Sequence, residues 1–514
     1  MSTASRVIKN TGFLYARMGI TMFVSLYTTR LVLNALGATD FGIFNVVGGA
    51  IAMLGFLNAS MAAATQRFMS YAEGEGKPEK KKSIFNISMV LHVVVAVLAG
   101  IALLIAGYFF FNGVLNIPAE RVLAAKVVYG SLIVSTMFTV MTVPYDAVLN
   151  AHENMKYYAI VGVIESLLKL GIAFVVVYTL SDKLILYGVL MAAEALLVMV
   201  IMRIYCHKKY EECVFAPRKY WHKGLMKEMV SFSGWSFLGT GSSMISQYGM
   251  GIVLNSFFGA ILNAAEGIAY QISGQLMVFS NNMLKAVNPV ITKSEGEGNR
   301  AFMILTSLRT TKMSFYLLSI FAIPFIIESN YLLGIWLKKV PDWAVVFVQL
   351  QLIRAILEQL TVPLSTSIAA QGEIRMYIIS VSVINILPII LTYILFLNGF
   401  PPYYMFLTFI FGWGIVKGFV TIYYMKKNCG LSLKEYYSMV LIPCVVTSLG
   451  MFSIAFGSTY YLPQSFTRLV LVGVVSSATF IIFQRYFFIT PSEKQLLNRI
   501  YNLTKTKILS IRVK

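Results

Sequence analysis

The chain has 514 residues, 58% of them hydrophobic and only 12% charged, with a mean hydropathy of +0.73. No soluble domain of this size has that balance, so lipid is the solvent for most of the chain. The net charge of +20 does not indicate nucleic acid, because the basic residues sit in loops beside apolar runs, the ordinary pattern of a membrane protein.

A helix needs about 20 apolar residues to cross a bilayer. In chain order the apolar runs predict fourteen spans: 12–36, 41–66, 84–111, 121–143, 157–180, 184–206, 228–258, 265–290, 311–336, 343–365, 374–397, 403–425, 438–460 and 465–488. The first run is too long for a signal-peptide core and lacks a small-residue cleavage pattern, so it is expected to stay as the first span. With the N-terminus in the cytoplasm, and basic residues within three positions of a span end counted with the adjoining loop, the inner segments hold 30 of the 42 Lys and Arg residues, the outer turns 5 and the spans 7. That bias places both termini in the cytoplasm. Trp336, Trp343, Tyr460 and Tyr461 fall near outer span ends, as in an aromatic belt.

An internal repeat organises the spans. Val32-Leu33-Asn34, Gly37-Ala38 and Glu73-Gly74-Glu75-Gly76 return as Val253-Leu254-Asn255, Gly259-Ala260 and Glu295-Gly296-Glu297-Gly298, with one slip of a single position in the first element. The offset from Gly37 to Gly259, and from Glu73 to Glu295, is 222 residues. Six spans separate the copies, so both face the same way. The expected fold is an all-α polytopic membrane protein of about fourteen transmembrane helices, in two parallel six-helix lobes plus two C-terminal helices. The lobes are 1–206 and 228–425, joined by a basic cytoplasmic linker, 207–227. Helices 13 and 14 (426–488) lie outside the repeat. A basic amphipathic tail (489–514) opens with Thr490-Pro491-Ser492-Glu493, which has capping-box spacing. Such a tail lies on the anionic inner leaflet, fixing topology or serving regulation.

Catalytic signatures are missing. No DxD, GxxxxGK[ST] or HExxH occurs, and no loop is large enough to hold a substrate domain. Cys206, Cys213, Cys429 and Cys444 have neither CxxC nor regular spacing, which predicts no disulfide framework and no metal site. Gly239-Thr240-Gly241 lacks the strand–turn–helix context of a nucleotide loop and reads as a close-packing or bending site. Pro324 and Pro388 sit mid-span, as hinges or as plain bends. The expectation is a protein that is not an enzyme and carries no cofactor.

Ionisable groups inside spans cost about 2.5–3.5 kcal/mol each on insertion scales, so each needs a reason. Glu165–Lys169 and Arg354–Glu358 are four apart on one helix face, which suits a structural ion pair and a substrate contact equally. Arg17, Lys126 and Lys285 lie close enough to span ends to snorkel. Arg30 lies deeper, and Lys417 is mid-span, flanked by Gly412, Gly414 and Gly418, with no acid three or four positions away. Glu194 is unpaired in mid-span and is a candidate protonation or cation site, with Glu266 in a first turn as the weaker one. The basic surplus predicts an anionic substrate.

The opening Asn10-Thr11-Gly12-Phe13-Leu14-Tyr15-Ala16-Arg17-Met18 continues into Leu26-Tyr27-Thr28-Thr29-Arg30 and Leu36-Gly37-Ala38-Thr39-Asp40-Phe41-Gly42-Ile43-Phe44-Asn45-Val46-Val47-Gly48-Gly49, then Ala64-Thr65-Gln66-Arg67-Phe68. This resembles the bacterial O-antigen and capsule repeat-unit flippases, the polysaccharide transporters of the multidrug/oligosaccharidyl-lipid/polysaccharide exporter superfamily. The resemblance implies a V-shaped pair of lobes around a cationic cavity in the bacterial cytoplasmic (inner) membrane. The implied substrate is an oligosaccharide on undecaprenyl pyrophosphate, moved from the inner to the outer leaflet by alternating access. Arg17, Arg30 and Arg67 match motif positions and are the implied holders of pyrophosphate or sugar acids, for which a planar guanidinium is suited. Lys285, Arg354 and Lys417 join them on depth alone. Membrane lipids, H+ or Na+, and a polysaccharide polymerase with its chain-length regulator are the candidate partners. The rivals are a drug/cation antiporter of the same superfamily, which wants an acidic cavity, a membrane polymerase or glycosyltransferase, and a non-transporting component of polysaccharide assembly.

Overall fold

The computed structural model describes residues 3–52, 55–114, 117–337 and 340–488. The basic tail lies outside the described residues, as do Lys338 and Lys339. Every regular element among the described residues is helical. The first half contains α1 (Thr3–Ala52), α2 (Gly55–Glu75), α3 (Pro78–Phe109), α4 (Val122–Ala151), α5 (Met155–Tyr178) and α6 (Lys183–Lys209). A short turn, α7 (Pro217–Tyr220), lies in the linker. The second half contains α8 (Lys223–Phe258), α9 (Ala260–Gly296), α10 (Arg300–Trp336), α11 (Ala344–Gln359), α12 (Val362–Gln371), α13 (Arg375–Leu397), α14 (Tyr404–Phe409) and α15 (Lys417–Cys429). Beyond it come α16 (Leu433–Tyr436), α17 (Ile442–Ser458) and α18 (Phe466–Phe483).

Local chemistry sets the helix ends. Asn154, Asp182, Asn299 and Ser465 each accept a hydrogen bond from a first-turn backbone N–H of α5, α6, α10 and α18. Gly372 and Gly430 end α12 and α15 in the left-handed conformation. Eleven helical segments among the described residues are long and apolar enough to cross a membrane, which makes the chain a multi-pass membrane protein. Of the other three runs expected to span, 41–66 includes residues outside the described ones, and 228–258 and 265–290 lie on α8 and α9, which are long but carry more polar residues. Asn281, Asn282, Lys285 and Asn288 of α9 are examples.

The repeat is visible in the backbone. Gly37 (φ 77, ψ 170) kinks α1, and Gly259 (φ 79, ψ −176) divides α8 from α9. Gly76 (φ 66) and Gly298 (φ 75) make the turns into α3 and α10. Both pairs are 222 apart, and all four sit where a side chain would be strained. Each half has its own interior: Val47, Leu103, Val128 and Leu184 in the first, and Phe315, Phe347, Leu352 and Phe406 in the second. The linker is docked rather than loose. Asn86 of α3 donates to Val214 O and accepts from Ala216 N, both at 2.7 Å.

Pro324 lies inside α10 and Pro388 inside α13. Gly412 leaves room for the Pro388 ring, since a Cβ there would meet Pro388 Cγ at 2.8 Å. The glycines before Lys417 therefore serve helix packing, within a π-helical stretch from Ile410 to Val416.

The halves meet along α2 at the end bearing the Glu–Gly loops. Phe68 of α2 packs edge-on to Phe232 of α8, with ring centroids 5.8 Å apart. Farther along, Tyr15 Oη of α1 donates to Phe279 O of α9 at 2.9 Å. At the opposite end Arg121 binds Asp40 in bidentate fashion and Asp182 at 2.6 Å, fastening α1, α4 and α6 within the first half. An ion pair across the second half, Arg468–Glu328, holds α18 to α10 at 2.8 and 2.9 Å.

Candidate functional site: two charged clusters and a closed end

The sequence suggests one cationic cavity; the side chains form two clusters instead. In the first half, a cavity of about 190 Å³ is lined by Arg17, Asp146, Tyr158, Glu165, Lys169 and Glu194, with Thr139 and Thr142 among its polar walls. The Arg17 guanidinium lies 4.5 Å from the Tyr158 ring centroid, and Lys285 Nζ, reaching across from α9, lies 3.6 Å from the same ring. Both are cation–π distances. Gly162 of α5 clears the space for Arg17, since a Cβ there would lie 2.0–2.5 Å from the guanidinium. Leu14 of α1, Met155 of α5 and Ala286 of α9 bury together beside these residues, so the cluster sits where the halves meet. Lys169 donates to Glu165 at 2.5 Å. Glu194 is buried, and its Oε1 has no hydrogen-bond partner among the described residues.

Three cations here face three carboxylates, so the basic surplus expected from depth along the chain is absent from this cavity. Asp146, three residues past the expected end of the fourth span (121–143), is part of it, and Tyr158 carried no sequence signal at all.

The second cluster belongs to the second half. Arg354 donates to Glu358 at 2.9 Å and to Gln351 Oε1 at 3.0 Å, and Gln351 donates to Ser273 at 3.2 Å. Arg354 lies 5.1 Å from the Trp413 ring centroid and 5.4 Å from that of Phe409, and Lys417 Nζ lies 5.0 Å from Trp413. Trp413 is anchored by donating to Asn385 O at 3.3 Å. Glu266 is buried on α9, with its carboxylate beside Gly251 of α8.

Two of the six basic residues expected to hold substrate join neither cluster. Arg30 is exposed on α1 and forms no ion pair or hydrogen bond among the described residues. Arg67 donates to Ala369 O at 3.1 Å and Ala370 O at 2.9 Å, crossing from one half to the C-terminal carbonyls of α12 in the other. Near it, Glu73 takes Lys81 at 2.7 Å, His152 at 3.5 Å and Lys293 of the other half at 3.9 Å. His152 also binds Glu212 of the linker at 2.5 Å. Burial works against the charge on Glu212, but the His152 bond and charge, its own backbone N–H and the Lys81 charge together outweigh it, holding the carboxyl below the usual range.

This bundle of duplicated helices, with ionisable residues inside its halves, defines a multi-pass membrane protein of transporter-like fold. The sequence profile of the family described as "Polysaccharide biosynthesis protein" matches residues 7–295, more than half of the chain, and the chain belongs to that family. No curated protein matches it in sequence. In structure it is similar to an outward-facing multidrug resistance MATE family transporter of the MOP superfamily (TM-score 0.71, 14% identity, covering 84% of this chain and 96% of that one). It is also similar to a MATE structure in the straight conformation (TM-score 0.62, 14% identity, 97% and 98%). A third similar structure is that of a MOP superfamily transporter from Pyrococcus furiosus Vc1 (DSM3638), described as having reverse polarity of the binding pocket (TM-score 0.61, 14% identity, 94% and 96%).

Proposed function

We propose that the protein is a flippase that moves undecaprenyl-pyrophosphate-linked oligosaccharide repeat units from the inner to the outer leaflet of the bacterial cytoplasmic membrane. The observation that carries this reading is the Arg17–Tyr158–Lys285 arrangement. Two cations from opposite halves converge on one ring at the boundary between the halves, in a chain of a polysaccharide biosynthesis family. The charge bias of the loops puts both termini, and with them the Glu–Gly end, on the cytoplasmic side. In that frame the contacts between the halves along α2 and the Glu–Gly loops lie toward the cytoplasm.

Moving negative charge outward gains about 2.3 kcal/mol per charge per 100 mV of inside-negative potential. A diphosphate with about two charges gains roughly 4–5 kcal/mol without a coupling ion. Glu194, buried with an unpartnered oxygen, is the candidate site for added H+ or Na+ exchange. Replacement by Gln removes the pH dependence of transport; unchanged transport and pH profile would refute the coupling.

Complementation tests the function. In a strain lacking its own repeat-unit flippase and making a matched sugar unit, the wild type restores surface polysaccharide. Arg17→Ala and Lys285→Ala leave lipid-linked units trapped inside. Stable insertion without restoration would sink the proposal. A second reading, a drug/cation exporter, is favoured by the carboxylates Asp146, Glu165 and Glu194 in the same cavity. It predicts that Glu194→Gln abolishes protection against cationic drugs while surface polysaccharide is untouched.

A further inference from the structure

The repeated Glu–Gly loops meet each other. A Cβ built on Gly74 would lie 2.1 Å from Lys293 O and 3.1 Å from Glu297 N. A Cβ on Gly296 would lie 2.2 Å from Tyr71 O and 3.3 Å from Glu75 N. Each partner atom is the 222-residue equivalent of the other, so the contact has two-fold symmetry and the pseudo-axis relating the halves runs through it. Each glycine lies on the peptide carbonyl three residues before its counterpart. Real Cβ atoms do not approach backbone this closely, and a backbone carbonyl, unlike the end of a flexible side chain, cannot swing away. Glycine at both places is what lets the last turns of α2 and α9 touch.

We propose that this glycine crossing is the seal of the molecule at that end: the symmetric contact that closes the path between the halves and must part for the path to open there. The inference rests on the transport reading above. Three features suit a contact that separates rather than a permanent joint. The nearest atoms at both glycines are backbone, and the Lys293 carbonyl keeps its own partner, accepting from Glu297 N at 2.9 Å, so separation leaves that carbonyl satisfied. The polar ties across it are few: Arg67 to the α12 carbonyls, and Lys293 to Glu73 at 3.9 Å. Gly76 and Gly298 follow at once, and their positive φ ends each helix directly behind the contact.

The test uses the full chain in lipid nanodiscs, spin-labelled at Glu79→Cys and Ala301→Cys, positions 222 apart at the starts of the helices that follow. All four native cysteines are buried, so labelling is selective. The wild type gives a short inter-label distance. Gly74→Ala and Gly296→Ala each shift the population to longer separation, and by similar amounts because the contact is symmetric. Gly171→Ala, where a Cβ meets nothing within 4 Å, leaves the distance unchanged. An unchanged distance in both seal variants, with wild-type thermal unfolding, would overturn the proposal. If the alanine variants do not fold, the labelled cysteines in the glycine-intact chain are joined with a reducible bifunctional thiol reagent. Transport is then lost on cross-linking and returns on reduction; transport that persists with the end tied shut would overturn the seal. A distance shift in a chain that fails complementation leaves the seal standing and removes the flippase reading. Complementation that depends on Arg17, with no distance shift, does the reverse.

Discussion

The two halves descend from one repeat but use buried charge in opposite ways. In the first half, Arg17 and Lys169 share a cavity with Asp146, Glu165 and Glu194, Lys285 of the other half reaches the Tyr158 ring at its wall, and the Glu165–Lys169 pair is about one-third exposed on both sides. In the second half, Arg354 and Glu358 are 8% and 14% exposed and are closed in by Gln351 and Trp413. Near-equivalent positions even carry opposite sign: Glu194 of α6 and Lys417 of α15 are within one residue of the repeat offset. A duplicated frame thus fixes where a helix can present an ionisable group. Local packing then decides whether that group is held as structure or left facing open space.

The largest expected effect comes from breaking the enclosed pair. Glu358→Ala leaves the Arg354 charge buried without its carboxylate and costs about 3–5 kcal/mol, seen as a marked fall in the thermal unfolding midpoint in detergent. Glu165→Gln breaks a pair of the same spacing that is about one-third exposed and costs less than about 1 kcal/mol. Equal losses from the two substitutions would erase the contrast between the halves.

Arg17→Ala is expected to abolish polysaccharide export in the complementation assay while leaving the unfolding midpoint near wild type, because its guanidinium rests on a ring rather than on a buried acid. A smaller effect follows from Gly162→Ala. The added methyl pushes the flexible Arg17 side chain off Tyr158 without obstructing backbone, so export falls only in part. If Gly162→Ala matched the full loss of Arg17→Ala, the position of the guanidinium over Tyr158, and not its charge alone, would be the requirement.

The smallest effect concerns the end opposite the seal. The Arg121 hydrogen bond holds the Asp182 carboxyl below its usual range, helped by the α6 N-terminal N–H groups. A depressed carboxyl stabilises the fold fully above the free value of about 3.9 and loses that contribution as the pH falls through the folded value. Arg121→Gln should therefore flatten the acid limb of a stability–pH curve below about pH 4 and leave neutral-pH export intact. An unaltered acid limb would show that the Asp182 bond adds nothing to stability.

Much of this was determined by the sequence alone. Apolar runs of membrane-spanning length, the 222-residue repeat and its strained glycines at 37, 76, 259 and 298 follow from local rules of hydropathy and backbone sterics. The pairs Glu165–Lys169 and Arg354–Glu358 were legible for the same reason, since helix geometry puts residues four apart side by side. Arg67 was legible as an arginine at a motif position, but not as a strap onto the carbonyls of Ala369 and Ala370. Only tertiary structure decided that Arg17 and Lys285 share Tyr158, that Asp146 joins them, and that the two Glu–Gly loops touch. Periodicity reports which residues are equivalent or share a face of one helix. It carries no term for the distance between helices, and that distance is set by packing of the whole bundle, down to the absence of two Cβ atoms at Gly74 and Gly296.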